Sequence, residues 1–358
     1  MSIWNTYPSS YRQQEIQTIL AAVQGGECIS VVGLSGSGKS NLLAFITHRE
    51  DAFPHPTVLV DCNRLAEVEP AAFYRLMRGC ILDEVEPAAN ELTALDSALH
   101  RRLSQPPGSL TVLFDRFDIF GEESHQVTFS NLRALRDAYK YQLTYVTATR
   151  SPLDPHSELA ELFFAHTLWL GPLSEADAHW NIERYAQRLG ERWDRATSGK
   201  MIDISGRYPA LLRAVCEAFA AGTKLDINDL AKHPAVKRRL SEFWADEPGE
   251  NELSSSNLVG VPLLKVGRGP QGFDTTQLTA KEHLLLNYLR AHPEQVCDKH
   301  ELVQAVWPED QIYERGIRDD SLAQLVRRLR VKIEPNPSNP RYIHTVTGRG
   351  YRFTPESD

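Results

Sequence analysis

The chain has 358 residues, 42% of them apolar and 24% charged, and a formal net charge of −8 at pH 7. This composition is typical of globular proteins, the length predicts two or three domains, and no run approaches the ~18 apolar residues of a membrane span. The five cysteines are scattered and odd in number, which argues against a disulfide framework or a zinc site. Because the start of the chain lacks an apolar signal core, we expect a cytoplasmic protein with no membrane contact.

A glycine-rich stretch at residues 33–40, GLSGSGKS, has the spacing G-x-x-x-x-G-K-[ST] of a phosphate-binding loop. Residues 28–32 before it favour a buried parallel strand, and residues 41–46 after it favour a helix. Glycines let backbone N–H groups wrap around phosphate oxygens, and the helix N-terminus adds its positive end. We expect Lys39 to reach the phosphates of ATP or ADP and Ser40 to ligate Mg²⁺. The nucleotide-binding candidates in this stretch are Gly33, Ser35, Gly36, Ser37, Gly38, Lys39, Ser40 and Asn41.

Polar side chains end two further predicted strands. Residues 110–115 are mostly apolar and end at Asp115, which we expect to hold Mg²⁺ together with Ser40. Asp118 is expected to orient an attacking water, or alternatively to be a turn residue. Residues 143–150 end at Arg150, which is expected to stabilise phosphate charge in cis or from a neighbouring subunit, with a surface arginine as the alternative. The catalytic candidates are therefore Lys39, Asp115, Asp118 and Arg150.

Predicted helices flank these strands. Residues 10–24 favour a helix before the first strand, which makes Tyr11 and Arg12 candidates for contacting the nucleotide; a helix cap and a surface charge are the alternative. Residues 57–62 and 166–173 favour further strands. After Ser174, which is a good N-cap, the chain has helical spacing and little β signal, as expected of a helical lid. Pro209 starts one lid helix and is a further candidate contact to the nucleotide.

In these residues the chain from roughly 8 to 247 resembles the STAND class of P-loop ATPases, relatives of the AAA and origin-recognition ATPases. The resemblance is carried by the phosphate loop and by DRFD at 115–118, TATR at 147–150, PLS at 172–174 and GRYP at 206–209. It implies a switch in which nucleotide state controls lid closure and self-association. Arg116 stands where many related ATPases have a second acid, so hydrolysis is expected to be slow.

The C-terminal part differs in character. Residues 248–257 are acidic and rich in turn formers, which predicts a linker, and residues 259–266 are expected to form a short strand. Helical spacing follows near 278–289, 299–307 and 318–333, and residues 342–347 and 351–353 favour a hairpin. The segment 315–352 holds nine basic residues and three acidic ones. Three helices and a basic hairpin predict a winged helix-turn-helix that binds double-stranded DNA.

This part, roughly 258–354, looks like the OmpR-type DNA-binding domain in the sequences LTAKE at 278–282, LVRRLRVKI at 325–333 and YIHTVTGRGYRF at 342–353. The resemblance implies that the third helix enters the major groove and that the hairpin touches the minor groove or its phosphates. Arginines can contact phosphates or guanine edges, and Arg349 can enter a narrow minor groove. The alternative is a solvated basic face with a hairpin that binds protein. The candidate DNA contacts are Ser321, Gln324, Arg327, Arg328, Lys332, Thr347, Arg349 and Tyr351.

The sequence thus predicts an α/β protein: a P-loop NTPase parallel sheet with a helical lid, followed by a winged helix-turn-helix domain. The expected domains are the ATPase core at 1–172, the lid at 173–247, the linker at 248–257 and the DNA-binding domain at 258–358. The leading hypothesis is an ATP-binding, nucleotide-switched regulator of transcription that forms a homo-oligomer in the ATP state, with ATP hydrolysis as the switch. The alternative is a STAND-type signalling scaffold in a defence or transposition system, in which the winged helix docks a protein partner or targets DNA.

Overall fold

The computed structural model describes residues 3–65, 67–83, 86–120, 126–153, 160–163, 166–246, 248–267, 278–306, 317–334, 337, 340–346 and 348–354. The chain divides into two compact units, Met1–Gly267 and Arg268–Asp358. Across these ranges, no helix is both long enough and apolar enough to cross a bilayer.

The first unit is built on a parallel five-stranded sheet. Its strands, in the order in which they lie side by side, are β2 (Thr57–Asp61), β3 (Leu110–Asp115), β4 (Leu143–Thr149), β1 (Ile29–Val32) and β5 (Thr167–Trp169). Every residue of β1, β3 and β4 is buried, as expected of central strands covered on both faces. The predicted α/β class is confirmed, and the carboxyl ends of these strands lie together at one edge of the sheet.

Helices cover both faces of this sheet and continue into the lid. Those that accompany the sheet are α1 (Gln13–Gln24), α2 (Lys39–His48), α3 (Pro70–Leu82), α4 (Glu91–Leu103) and α5 (Gln126–Ala138). Those of the lid are α6 (Glu175–Arg188), α7 (Arg195–Ser205), α8 (Pro209–Ala220), α9 (Ile227–Lys232) and α10 (Pro234–Trp244). One apolar cluster joins α1, β1 and α2 to the lid, and a second lies under α3, α4 and α5. The lid therefore shares its core with the strand and helix that flank the glycine loop.

Residues 248–267 differ from the prediction. In place of a linker and a strand, the structure has two helices, α11 (Glu250–Ser255) and α12 (Pro262–Gly267). Leu253, Leu258 and Leu263 are buried in the same core as the lid. Because these apolar side chains are used by the first unit, the second unit begins at Arg268 and not at residue 258.

The described part of the second unit contains three helices and a small antiparallel sheet. The helices are α13 (Ala280–Ala291), α14 (Lys299–Val306) and α15 (Ile317–Ile333), and the strands lie in the order β6 (Val296–Asp298), β8 (Gly350–Phe353) and β7 (Ile343–Val346). A Cβ added to Gly350 would lie 2.0 Å from the carbonyl oxygen of Cys297, so only glycine lets β8 approach β6 this closely. The predicted winged helix-turn-helix is confirmed.

Candidate functional site

The glycine loop connects β1 to α2 and has the backbone that its sequence requires. Gly36 and Gly38 have φ angles of 89° and 93°, in the left-handed region that favours glycine. A Cβ on Gly33 would lie 2.7 Å from the Ser37 hydroxyl. Gly38 is the N-cap of α2, which begins at Lys39, so the first N–H groups of this helix lack intrahelical partners. The loop can therefore offer backbone donors to an anion.

The Lys39 ammonium lies inside this loop. It donates to the main-chain carbonyls of Gly33 and Leu34. Burial lowers the pKa of Lys39 to about 8, and the nearby carboxylates of Asp118, Asp246 and Asp115 oppose this shift. Three acids from two parts of the chain, the end of β3 and the end of the lid, thus lie near this lysine.

Asp115 and Ser40 meet as the sequence predicts. The Ser40 hydroxyl donates to Asp115 Oδ1 over 3.0 Å, although the two residues are 75 positions apart. Burial raises the pKa of the Asp115 carboxyl, and the hydrogen bond from Ser40 opposes that change. A hydroxyl oxygen and a carboxylate oxygen side by side are the hard donors that suit Mg²⁺. This pair fits the expected metal, and it lies at the edge of the sheet next to the loop.

Arg150 bridges two carboxylates at the same edge. Its Nε donates to Asp118 Oδ2 over 2.8 Å, and its Nη1 lies 3.4 Å from Asp246 Oδ1. The Arg150 side chain is 54% exposed, whereas that of Asp246 is 5% exposed. Beside this group, the Thr149 hydroxyl is buried and has no hydrogen-bond partner among the described residues. The two predicted catalytic residues Asp118 and Arg150 are therefore paired with each other.

Asp246 also bonds the glycine loop directly. Its Oδ2 accepts from the Ser35 N–H over 2.6 Å, and its Oδ1 accepts from the Ser35 hydroxyl over 3.0 Å. Asp246 follows α10, the last helix of the lid. A carboxylate from the lid thus takes up a backbone donor of the phosphate-binding loop.

The start of α8 also packs onto the loop. The Tyr208 hydroxyl lies 3.1 Å from the carbonyl oxygen of Leu34 and 2.9 Å from that of Ser35, to which it donates. The Ala210 N–H donates to the Gly36 carbonyl over 3.2 Å, and a Cβ on Gly36 would lie 2.5 Å from Ala210 Cβ. Pro209 lies beside Gly38, where an added Cβ would be 3.7 Å from Pro209 Cγ. The lid and the loop therefore form one hydrogen-bonded structure.

Arg12 has a different environment from that expected of a surface charge. It is 2% exposed and has a left-handed φ of 51°. Its guanidinium donates to the carbonyls of Ser37, Gly171 and Pro172, at 3.0, 3.0 and 3.1 Å, and pairs with Glu15 at 2.6 Å. Because these partners come from the loop, from the segment between β5 and the lid, and from α1, Arg12 holds the three together.

Tyr11 lies in an aromatic cluster beside α2. Its hydroxyl accepts from Asn41 Nδ2 over 3.1 Å, and burial raises its pKa to about 12. The ring packs against Tyr7, Phe45 and Trp180. Tyr11 and Asn41, both predicted to contact the nucleotide, are thus adjacent to each other at the start of α2.

In the second unit, α15 presents a basic face. Its core side is formed by Leu322, Leu325, Val326 and Leu329, all buried. The exposed residues of the described part of this helix are Ala323, Gln324, Arg327, Arg328 and Val331. Arg349 is exposed in the hairpin turn, where its N–H donates to the Val346 carbonyl over 3.0 Å. The Ser321 side chain and Thr347 lie outside the described residues.

Comparison with protein families supports both parts. Residues 11–221 match the model for novel STAND NTPase 1, and residues 274–353 match the model for the C-terminal domain of transcriptional regulatory proteins. The chain belongs to the novel STAND NTPase 1 family.

Curated proteins are similar in sequence to about a third of this STAND NTPase. An uncharacterized transcriptional regulatory protein, YcbL, of Bacillus subtilis is 32% identical over 123 residues, which are 34% of this chain and 52% of YcbL. Protein PetR of Rhodobacter capsulatus is 35% identical over 125 residues, 34% of this chain and 50% of PetR. The chain spans about half the length of these relatives.

Two solved structures resemble the STAND NTPase at low sequence identity. The Walker-type ATPase PABY2304 of Pyrococcus abyssi is 15% identical, with a TM-score of 0.49 and coverage of 99% of this chain and 97% of that one. The ORC1 protein of Aeropyrum pernix in complex with DNA is 12% identical, with a TM-score of 0.42 and coverage of 97% and 89%.

Two predicted DNA contacts of the STAND NTPase have partners within the second unit. Lys332 Nζ donates to Glu282 Oε2 over 2.6 Å, and the Glu282 side chain is 1% exposed. Tyr351 is 7% exposed and belongs to the apolar core. Both lie in segments whose neighbours are basic, and a basic segment does not reveal which of its members turn inward. The exposed set therefore reduces to Gln324, Arg327, Arg328 and Arg349.

One residue at the glycine loop, Asp246, was missed from the sequence. It lies 211 positions from Ser35, and the only local signal is an acid directly after the last lid helix, which does not predict a bond to the loop. In the GRYP motif, the sequence allows Tyr208 to face the nucleotide from the lid, with a structural role as the favoured alternative, and the structure shows its hydroxyl bonded to the loop.

Proposed function

We propose that this STAND NTPase binds ATP or ADP with Mg²⁺ at the glycine loop and that the nucleotide controls DNA binding by the winged helix, as a regulator of transcription. The observation that carries the proposal is the direct bonding of the lid to the loop by Tyr208, Ala210 and Asp246. A phosphate that enters the loop changes the surroundings of all three residues. Nucleotide binding therefore acts on the lid without an intermediary.

For the nucleotide, we assign the phosphates to the backbone N–H groups of residues 33–40 and to the Lys39 ammonium. Ser40 and Asp115 would hold Mg²⁺, which when bound neutralises phosphate charge. Arg150 is placed to respond to the γ-phosphate by exchanging its carboxylate partners. Arg116 in place of a second acid makes slow hydrolysis the expectation, so that nucleotide occupancy and not turnover sets the state.

For DNA, we assign base and phosphate contacts to the exposed face of α15. Arg327 and Arg328 are long, charged and exposed, and Gln324 lies one turn before Arg328 on the same face. Arg349, in the hairpin turn, would reach the minor groove or its phosphates. One module of this size contacts few phosphates, so we further propose that a homo-oligomer formed in the ATP state raises the affinity by effective concentration.

Selection from a pool of random DNA fragments tests this function. The full chain is incubated with the pool with and without ATP and Mg²⁺, as the wild type and as Lys39→Ala. We expect one motif to be enriched, with an enrichment that depends on ATP in the wild type and not in Lys39→Ala. Enrichment that is identical in all four conditions would overturn nucleotide control, and the absence of any enriched motif would overturn sequence-specific DNA binding.

A further inference from the structure

The bonds of Asp246 place a carboxylate where a phosphate-binding loop uses its donors. Ser35 lies within the loop, and both its N–H and its hydroxyl donate to Asp246, at 2.6 and 3.0 Å. The Asp246 side chain is 5% exposed, so these bonds are shielded from water. Carboxylate–N–H bonds of this kind are charge-assisted and roughly twice as strong as neutral ones. The contact is therefore a substantial part of what holds this end of the lid to the loop.

A bound phosphate and this carboxylate would compete. An N–H group donates one strong hydrogen bond, and Ser35 already gives its own to Asp246. Two anions held side by side at a buried site repel each other. Asp246 also lies close enough to Lys39 to act on its pKa, along with Asp118 and Asp115. The negative charge of Asp246 thus acts on the same lysine that the nucleotide phosphates require.

The position of Asp246 in the chain indicates which segment would move if its contact with Ser35 were lost. It stands between α10, which packs in the lid, and α11, whose Leu253 is buried in the core of the first unit. The segment from 245 to 256 is consequently held at both ends, at one by the loop and at the other by apolar packing. Loss of the Ser35 contact would release the first of these two attachments, in a segment of the first unit that leads to α11 and α12.

We infer that Asp246 is an internal latch: its carboxylate occupies the phosphate-binding loop as an anion in cis, and a nucleotide phosphate must displace it, which frees the segment after α10. This inference rests on the proposed binding of ATP at the loop. It adds a competitor built into the chain and a route by which nucleotide binding reaches α11, the next helix of the first unit. Arg150, bonded to both Asp246 and Asp118, is the group that exchanges partners when the latch opens.

The test is equilibrium binding of a fluorescent ATP analogue with Mg²⁺ to the full chain. The variants are Asp246→Ala, which removes both acceptors, and Asp246→Asn, which keeps the shape and one acceptor but removes the charge. If most of the protein is latched, its apparent affinity is reduced by the small unlatched fraction, and we expect roughly tenfold tighter binding for Asp246→Ala. The affinity of Asp246→Asn should lie between those of Asp246→Ala and the wild type. The control is Glu242→Gln, which removes a charge from an exposed residue of α10 that pairs with the half-buried Arg239. It should leave the affinity for ATP within about twofold of the wild type.

Hydrogen exchange of the segment 245–256 provides a second measurement, and its deciding comparison is made on the wild type alone. ATP should increase its exchange in the wild type, and in Asp246→Asn the exchange should be high before ATP is added. Unchanged exchange on ATP binding would overturn the latch.

The outcomes separate the latch from the proposed function. If Asp246→Ala binds ATP as the wild type does, or more weakly, and Lys39→Ala abolishes binding, the latch is overturned and ATP binding stands. If neither the wild type nor Asp246→Ala binds ATP, the proposed function fails and the latch fails with it.

Discussion

The glycine loop and the exposed face of α15 differ in how their charged residues are used. Around the loop, the charged side chains of Arg12, Lys39 and Arg150 all have partners within the protein. On α15, by contrast, Arg327 and Arg328 are exposed side chains on a helix whose opposite side is packed into the core. Phosphate that enters the loop has to replace existing contacts, whereas DNA meets side chains that already point outward.

The difference indicates which part of the molecule can switch. A site whose residues exchange partners has two arrangements, and a ligand that prefers one of them shifts the population. A site whose residues stand on a packed helix changes little when it binds. We therefore place the conformational response in the loop and lid, and treat the DNA-binding surface as preformed.

Replacement of the buried Arg12 should give the largest effect. Arg12→Ala leaves the carbonyls of Ser37, Gly171 and Pro172 without this donor and is expected to destabilise the first unit by about 4 kcal/mol. Urea unfolding of the full chain measures it. Arg213→Ala, at an exposed lid position, is the matched control and should cost less than about 0.5 kcal/mol. Equal losses in the two variants would show that the loop is not fastened by Arg12.

The next largest loss of stability is expected from replacing Gly350 in the second unit. Gly350→Ala puts a Cβ against Cys297 and is expected to cost about 3 kcal/mol. Gly348→Ala, in the same turn, meets nothing within reach and should cost only the strain of a left-handed backbone, about 1 kcal/mol. Thermal unfolding of the pair decides whether close approach or backbone conformation limits the hairpin.

Replacement of Lys332 tests whether its side chain stabilises the second unit or contacts DNA. Lys332→Ala removes the cationic partner of the buried Glu282 carboxylate, to which the Thr279 N–H still donates, and should destabilise the second unit by about 2–3 kcal/mol. At a temperature where the variant is folded, its DNA affinity should stay within about twofold of the wild type, since the ammonium is paired with Glu282. A large loss of DNA affinity without loss of stability would show instead that Lys332 contacts DNA.

The exposed arginines should behave in the opposite way. The double change Arg327→Ala and Arg328→Ala is expected to leave unfolding within about 0.5 kcal/mol of the wild type and to weaken DNA binding by about 2 kcal/mol, roughly thirtyfold. The dependence of affinity on salt should become shallower because fewer phosphates are neutralised. Electrophoretic mobility shifts at several salt concentrations measure both quantities. If the double variant bound DNA as tightly as the wild type, the exposed face of α15 would not be part of the DNA-binding surface.

Much of this architecture can be predicted from the sequence because local signals suffice for it. The loop motif, the apolar runs before Asp115 and Thr149, and the carboxyl-end rule for parallel sheets together place Ser40 next to Asp115. Residues 259–266 were harder, since a short apolar run does not distinguish a strand from a helix. Pro262 at the first helical position was the available signal for α12.

Partners far apart in the chain could not be predicted. The contact of Asp246 with Ser35 spans 211 positions, and that of Arg12 with Gly171 spans 159. Whether a charged residue pairs within the protein depends on a nearby residue of opposite charge, as Glu282 is for Lys332. These contacts depend on packing between elements, on which propensity and periodicity carry no information.

Control of DNA binding by the nucleotide is tested most directly by measuring the affinity of the full chain for its selected DNA site while ATP and Mg²⁺ are titrated. Coupling between two sites is typically about 1–3 kcal/mol, so we expect the wild-type affinity to change at least about fivefold. Lys39→Ala should show no change at any ATP concentration. An affinity for DNA that is the same with and without ATP, in wild-type protein shown to bind ATP, would contradict a nucleotide-controlled DNA-binding protein.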